Sequence, residues 1–75
     1  MQRKSLKLAI VAGDWKHQSL ALEANRHLEP EQHLGELNIT QIVTCRKDPT
    51  PEQAAALARV LGRSTVELFP PEVKP

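Results

Sequence analysis

TPEQAAALARVLGRSTVELF, residues 50–69, is the stretch whose reading decides the fold. Thr50 is a helix cap, because its hydroxyl can accept one of the backbone N–H groups that a helix start leaves unpaired. Pro51 suits the first turn, where its missing N–H costs nothing. Gln53, three residues after Thr50, completes a capping box. Ala54, Leu57, Ala58 and Leu61 then recur at spacings of three and four, so a helix with these four residues buried is predicted up to Leu61. Gly62 ends it. Ser64-Thr65-Val66-Glu67 is a second capping box, opening a last short helix through Leu68 and Phe69. Pro70-Pro71 stops that helix, and the tail to Pro75 is expected to be loose.

Working back from Thr50, Arg46-Lys47-Asp48-Pro49 is a connecting loop. Glu36 to Thr44 reads as a helix with Ile39, Ile42 and Val43 on one side and Asn38, Thr40, Gln41 and Thr44 elsewhere on the cylinder. Its β-branched residues make a strand the competing reading, but the three-and-four spacing favours the helix. Residues 27–35 are the least regular part. Pro30 forbids an unkinked helix through this point, Pro30-Glu31-Gln32 can open one helical turn, and Gly35 would end it. Trp15 to Arg26 forms a helix with Leu20, Ala21, Ala24 and Leu28 on one stripe, and Asn25 suits a left-handed turn at its end. Ser5 to Ala12 is the first helix. Gly13 is expected as its left-handed terminal residue and Asp14 as the cap of the next helix. The reading is therefore five α-helices and no sheet, with Leu20, Ala21, Ile39, Ile42, Leu57 and Leu61 buried together.

The chain has 75 residues, enough for one domain with one small core, here taken as residues 1–75 with loose ends at 1–4 and 70–75. Trp15 and Phe69 are the only aromatics, so the core must be aliphatic, with Phe69 packed into it. A single cysteine, Cys45, excludes an internal disulfide and fits a cytoplasmic protein. The apolar patch from Leu8 to Ala12 is too short for a membrane span or a signal-peptide core. Net charge is only +1, but it is unevenly spread. Residues 1–17 carry Arg3, Lys4, Lys7 and Lys16 against Asp14, whereas 23–36 carry Arg26 against Glu23, Glu29, Glu31 and Glu36. One face alone would meet a polyanion. His17, His27, His33 and Cys45 show no metal-binding spacing, and neither a nucleophile elbow nor a phosphate-cradling glycine loop is present. No catalytic residue, metal or cofactor is predicted.

The order of these signals resembles the lambda-repressor and Cro type (xenobiotic-response-element family) of helix-turn-helix DNA-binding domain. Leu6-Lys7-Leu8-Ala9-Ile10 followed by Gly13 is similar to the family's first helix. His17-Gln18-Ser19-Leu20-Ala21 is similar to its second, with Ala21 where the two motif helices cross. Ile39-Thr40-Gln41-Ile42-Val43-Thr44-Cys45-Arg46-Lys47-Asp48-Pro49-Thr50 resembles the end of the recognition helix and the loop after it. Ala56 to Ser64 and Glu67-Leu68-Phe69 resemble the closing helices. The chain departs from the family where His17 replaces glutamine, Asn25 replaces glycine, and Cys45 stands near a usual glycine. The interval from Ala21 to Ile39 is also about eight residues longer than the family's. The resemblance implies an all-α, five-helix fold with an enlarged turn between helices 2 and 3, acting as a dimeric, sequence-specific transcriptional regulator.

Carried over by position, Glu36, Leu37, Thr40 and Gln41 face base edges. The Gln41 amide donates and accepts at once, as the adenine edge requires. Lys16, His17 and Gln18 meet phosphate at the start of the second helix, Thr44 lies near another, and Arg46 and Lys47 clamp the backbone beyond the recognition helix. Double-stranded DNA and a second copy of the chain are the expected partners, with no membrane and no small-molecule ligand. The alternative is a protein-interaction module that kept the fold without DNA binding, suggested by the long turn, the acidic middle and the apolar Leu37.

Overall fold

In the computed structural model, which describes residues 3–69, the chain is all-α. The order is α1 (Lys4–Ala12), α2 (His17–Asn25), a 3₁₀ turn (Pro30–Gln32), α3 (Glu36–Val43), α4 (Pro51–Leu61) and α5 (Thr65–Leu68). The β-branched run at 39–44 is helical, because its apolar spacing presents Ile39, Ile42 and Val43 to the core. α2 packs on α3 and α4, α1 on α3 and α5, and α4 on α5. Leu6, Leu20, Ile39, Ile42, Leu57 and Leu68 are the largest fully buried side chains, so α1 to α5 each contribute at least one. Burial of each such side chain is worth roughly 1.5–3 kcal/mol.

The caps around α4 form as read. Thr50 Oγ1 accepts the Gln53 N–H (3.2 Å), and Gln53 Oε1 accepts the Thr50 N–H (3.0 Å). At α5, Ser64 Oγ accepts the Glu67 N–H (3.2 Å). Burial along α4 is shifted from expectation. Ala54 and Leu61 are only partly covered, while Ala56 and Gln53 are buried. Gln53 is turned inward because its amide Nε2 donates to the Gln32 carbonyl (2.9 Å), and Gln32 Oε1 accepts the Thr50 hydroxyl (2.8 Å). The capping box thus also fastens the 3₁₀ turn.

The segment 27–35 holds one short turn, opened by Pro30 as expected. Gly35 does not end that turn, which stops at Gln32. Gly35 is instead the N-cap of α3, its N–H donating to Asn38 Oδ1 (2.8 Å). Asn25 is not left-handed. Its amide pairs with the backbone of Leu34, Nδ2 donating to the carbonyl (2.8 Å) and Oδ1 accepting the N–H (2.7 Å). That pair imitates one rung of a β ladder and carries Leu34 into the core, against which the partly buried Leu28 packs.

Three helices end alike. Past α1, the Trp15 N–H reaches the Ile10 carbonyl (3.0 Å) and the Asp14 N–H the Val11 carbonyl (3.0 Å). Past α3, the Arg46 N–H reaches Gln41 O (2.8 Å) and the Cys45 N–H Ile42 O (3.2 Å). Past α4, the Arg63 N–H reaches Ala58 O (3.0 Å) and the Gly62 N–H Arg59 O (3.3 Å). Each is a Schellman motif, which needs one left-handed residue. Those residues are Asp14 (φ 56°), Cys45 (φ 61°) and Gly62 (φ 69°). The expected left-handed Gly13 is therefore corrected to Asp14, Gly13 having φ −87°. Asp14 accordingly does not cap α2, whose N-cap is Lys16 without a side-chain hydrogen bond. Gly13 is small for another reason. A Cβ there would stand 2.6 Å from Cδ1 and 2.7 Å from Nε1 of Trp15, whose indole lies against it.

Arg3, expected within a loose end, is anchored. Its N–H donates to Val43 O (2.8 Å), and its guanidinium donates to Ile42 O (2.7 Å) and Asp48 Oδ1 (2.6 Å) and stacks 5.7 Å from the Phe69 ring centroid. Phe69 is half-buried at the edge of the core. Lys4, also expected to be loose, opens α1, and the other expected loose residues, 1–2 and 70–75, with the Pro70-Pro71 stop, lie outside the described residues.

Candidate nucleic-acid interface

α3 buries one face and leaves the other open. Ile39, Ile42 and Val43 fix its rotation, which turns Glu36, Leu37, Thr40 and Gln41 outward. Glu36 and Leu37 are exposed, Leu37 to 68%, and Thr40 and Gln41 are half-exposed. Positions 36 and 40, and 37 and 41, are each four apart, so the four side chains form two adjacent rows on one surface.

Hydrogen bonds sort these residues by what they can still offer. The Thr40 hydroxyl lies 2.8 Å from Nδ1 of His17 and 3.2 Å from the Glu36 carbonyl, so it is engaged within the fold. Thr40 is left with its methyl as an outward contact. The contact between its hydroxyl and Nδ1 ties His17, at the start of α2, to α3. The Thr44 hydroxyl donates back to Thr40 O (2.9 Å). Among the described residues Gln41 makes no side-chain hydrogen bond, and its carboxamide keeps both donors and its acceptor.

Lys16 and Gln18 are exposed at the start of α2, where no side chain caps the first N–H groups. Arg46 and Lys47 are exposed just past α3, their N–H groups both held on Gln41 O (2.8 and 3.2 Å). Lys16, Arg46 and Lys47 form no ion pair among the described residues, unlike Arg3, Arg26 and Arg63, which pair with Asp48, Glu23 and Glu67. Pairing with Arg3 also offsets the one carboxylate, Asp48, that follows Arg46 and Lys47 in sequence.

Two residues that sequence reasoning left out lie beside this surface. Lys7 and Trp15 line a cavity of about 290 Å³ with Val11, His17, Thr40 and Thr44. Lys7 had counted only as charge and Trp15 as a helix start. The available signal was the Gly13-Asp14-Trp15 turn, which swings the indole back over α1. Among the described residues, no three His, Cys, Asp or Glu side chains gather as a metal set would require, and no helix is long and apolar enough to cross a membrane. Comparison with protein-family models, curated proteins and solved structures returns no match for the chain.

Proposed function

We propose that the chain is a sequence-specific DNA-binding regulator of the repressor/Cro helix-turn-helix kind, with α3 as the recognition helix, and not an enzyme. The observation that carries this reading is the outward face of α3, with Leu37 and Gln41 at its middle and the cations Lys16, Arg46 and Lys47 around it, Gln41 without a side-chain hydrogen bond and the cations without an ion pair among the described residues. A helix presented this way fits the major groove, and cations at its flanks suit the phosphates on either side. Gln41 reads an adenine edge, Leu37 and the Thr40 methyl offer apolar contact to thymine, and Glu36 accepts from cytosine. Lys16, Gln18, Arg46 and Lys47 hold the backbone. So few base contacts give limited specificity, so the chain acts as a dimer on paired half-sites.

The exposure of Leu37 favours one second reading, a protein-interaction module on the same fold. Fluorescence anisotropy on a selected site and on mixed-sequence duplex, at several salt concentrations, separates the two. Gln41→Ala should cost roughly 1–3 kcal/mol on the selected site and little on mixed DNA. Lys47→Ala should weaken both alike and lower the salt slope by about 1. Equal losses for Gln41→Ala on both duplexes contradict base readout. No binding by the parent chain at low salt, down to non-specific affinities of about 10⁻⁴ M, retires the DNA reading in favour of the interaction module.

A further inference from the structure

The outward face of α3 has a direction as well as a composition. Successive residues of an α-helix are turned by about 100°. Ile39, Ile42 and Val43 point into the core. Leu37 and Gln41 then lie within about 30° of the opposite direction, whereas Thr40 and Glu36 stand about 70° or more to one side. Thr44 shares the foremost side, but it is the C-cap and its hydroxyl is turned back to Thr40 O (2.9 Å). The foremost pair is therefore an apolar side chain, 68% exposed, and a carboxamide that makes no side-chain hydrogen bond among the described residues. They are one turn apart, about 6 Å along the axis, so they reach base pairs in succession and not the same one.

Base edges in the major groove differ in what they offer. Thymine shows a methyl group, and adenine shows an acceptor beside a donor. Guanine shows two acceptors. Leu37 complements the methyl alone, and Gln41 complements adenine. Guanine calls for two donors, as from arginine or lysine, and residues 36–44 contain neither. Facing Leu37, its two acceptors would lose water and find no donor, which costs more than a missing contact. Glu36 as a carboxylate only accepts, so it too opposes guanine.

We propose that the half-site is built on a step of two A·T pairs, read by Leu37 on a thymine 5-methyl group and by Gln41 on the adenine edge of the neighbouring pair, with guanine shut out of both positions. The step rests on the DNA reading above and deepens it, because it names the bases and the single methyl group on which affinity depends. That group can be removed alone. Deoxyuridine pairs as thymidine does and keeps every hydrogen-bonding atom of the edge, lacking only the methyl.

The full chain is used to enrich duplexes from a random pool at fixed salt. Each thymine of the enriched half-site is then replaced by deoxyuridine, one at a time, and Kd is read by fluorescence anisotropy. One thymine should respond, with binding weakened about fourfold, the worth of one buried carbon. Putting 7-deazaadenine, which lacks the N7 acceptor, at the neighbouring adenine should weaken binding by roughly two- to tenfold. In Leu37→Ala the thymine response should vanish and the adenine response remain, and in Gln41→Ala the reverse. Far-UV circular dichroism checks that both variants fold, and the deoxyuridine series on the parent chain tests the step without any variant. Three results overturn the step and leave DNA binding standing: enriched half-sites with guanine at these two pairs, no loss with any deoxyuridine, or a thymine response undiminished in Leu37→Ala. No duplex bound at low salt overturns the DNA reading and the step together.

Discussion

Replacing Cys45 by glycine should stabilise this protein. Cys45 is the left-handed residue of the Schellman motif that ends α3, at φ 61°. An L-residue with a Cβ pays about 1–2 kcal/mol for that conformation, and glycine pays none of it. Glycine also loosens the unfolded chain, which takes back about 0.4–1 kcal/mol. The thiol is exposed, so no buried contact is lost with it. The net gain is then about 1 kcal/mol, or an increase of roughly 4–8 °C in Tm for a domain of this size. The two hydrogen bonds onto Gln41 O and Ile42 O should survive unchanged, because they come from backbone N–H groups. Urea denaturation followed by circular dichroism, with a reductant present to keep the exposed thiol from pairing between molecules, should show a higher midpoint at constant m. Gly62→Ala provides the mirror measurement. Its site is open, with nothing within 4 Å of an added Cβ, so any loss there comes from φ 69° alone and should be about 1 kcal/mol. A Cys45→Gly chain no more stable than its parent, beside a Gly62→Ala chain that loses nothing, would refute the left-handed terminus argument.

Other substitutions probe the contacts that hold the site in place. Asn25→Ala leaves the N–H and C=O of the buried Leu34 without partners and should cost roughly 1–3 kcal/mol in chemical denaturation; an unchanged midpoint means that the 27–35 segment is held by something else. Gly13→Ala forces the Trp15 indole off its place, so it should destabilise by about 1–3 kcal/mol and shift Trp15 emission, and an unmoved spectrum counts against the close approach. Arg3→Ala strips the Ile42 carbonyl of its guanidinium donor and Phe69 of its stacked cation, and should cost about 1 kcal/mol; because Asp48 is 89% exposed, Asp48→Ala should cost much less, and equal losses for the two would contradict this assignment.

The parts of this protein that the sequence determined by itself are those whose cause lies within a few residues. Thr50-Pro51-Glu52-Gln53 specifies a helix start because the cap, the proline and the returning glutamine all act within one turn. Pro30 interrupts any helix running through it from α2, and the three-and-four spacing of Ile39, Ile42 and Val43 selects the buried face of α3, and with it the outward row of Glu36, Leu37, Thr40 and Gln41. What only the tertiary structure decided depends on partners distant in sequence. Nothing near Asn25 says that its amide will serve Leu34, nine residues on, and nothing near Gln53 says that it will be drawn inward to Gln32. Gly13 and Asp14 both tolerate a left-handed turn, and the choice fell on Asp14 because the indole of Trp15 needs the space that Gly13 leaves. Thr40, Thr44 and His17 all read as polar groups able to meet DNA. Only the fold shows that they are also engaged with one another and with the backbone of α3, because a polar side chain bonds whichever partner the packing brings within reach.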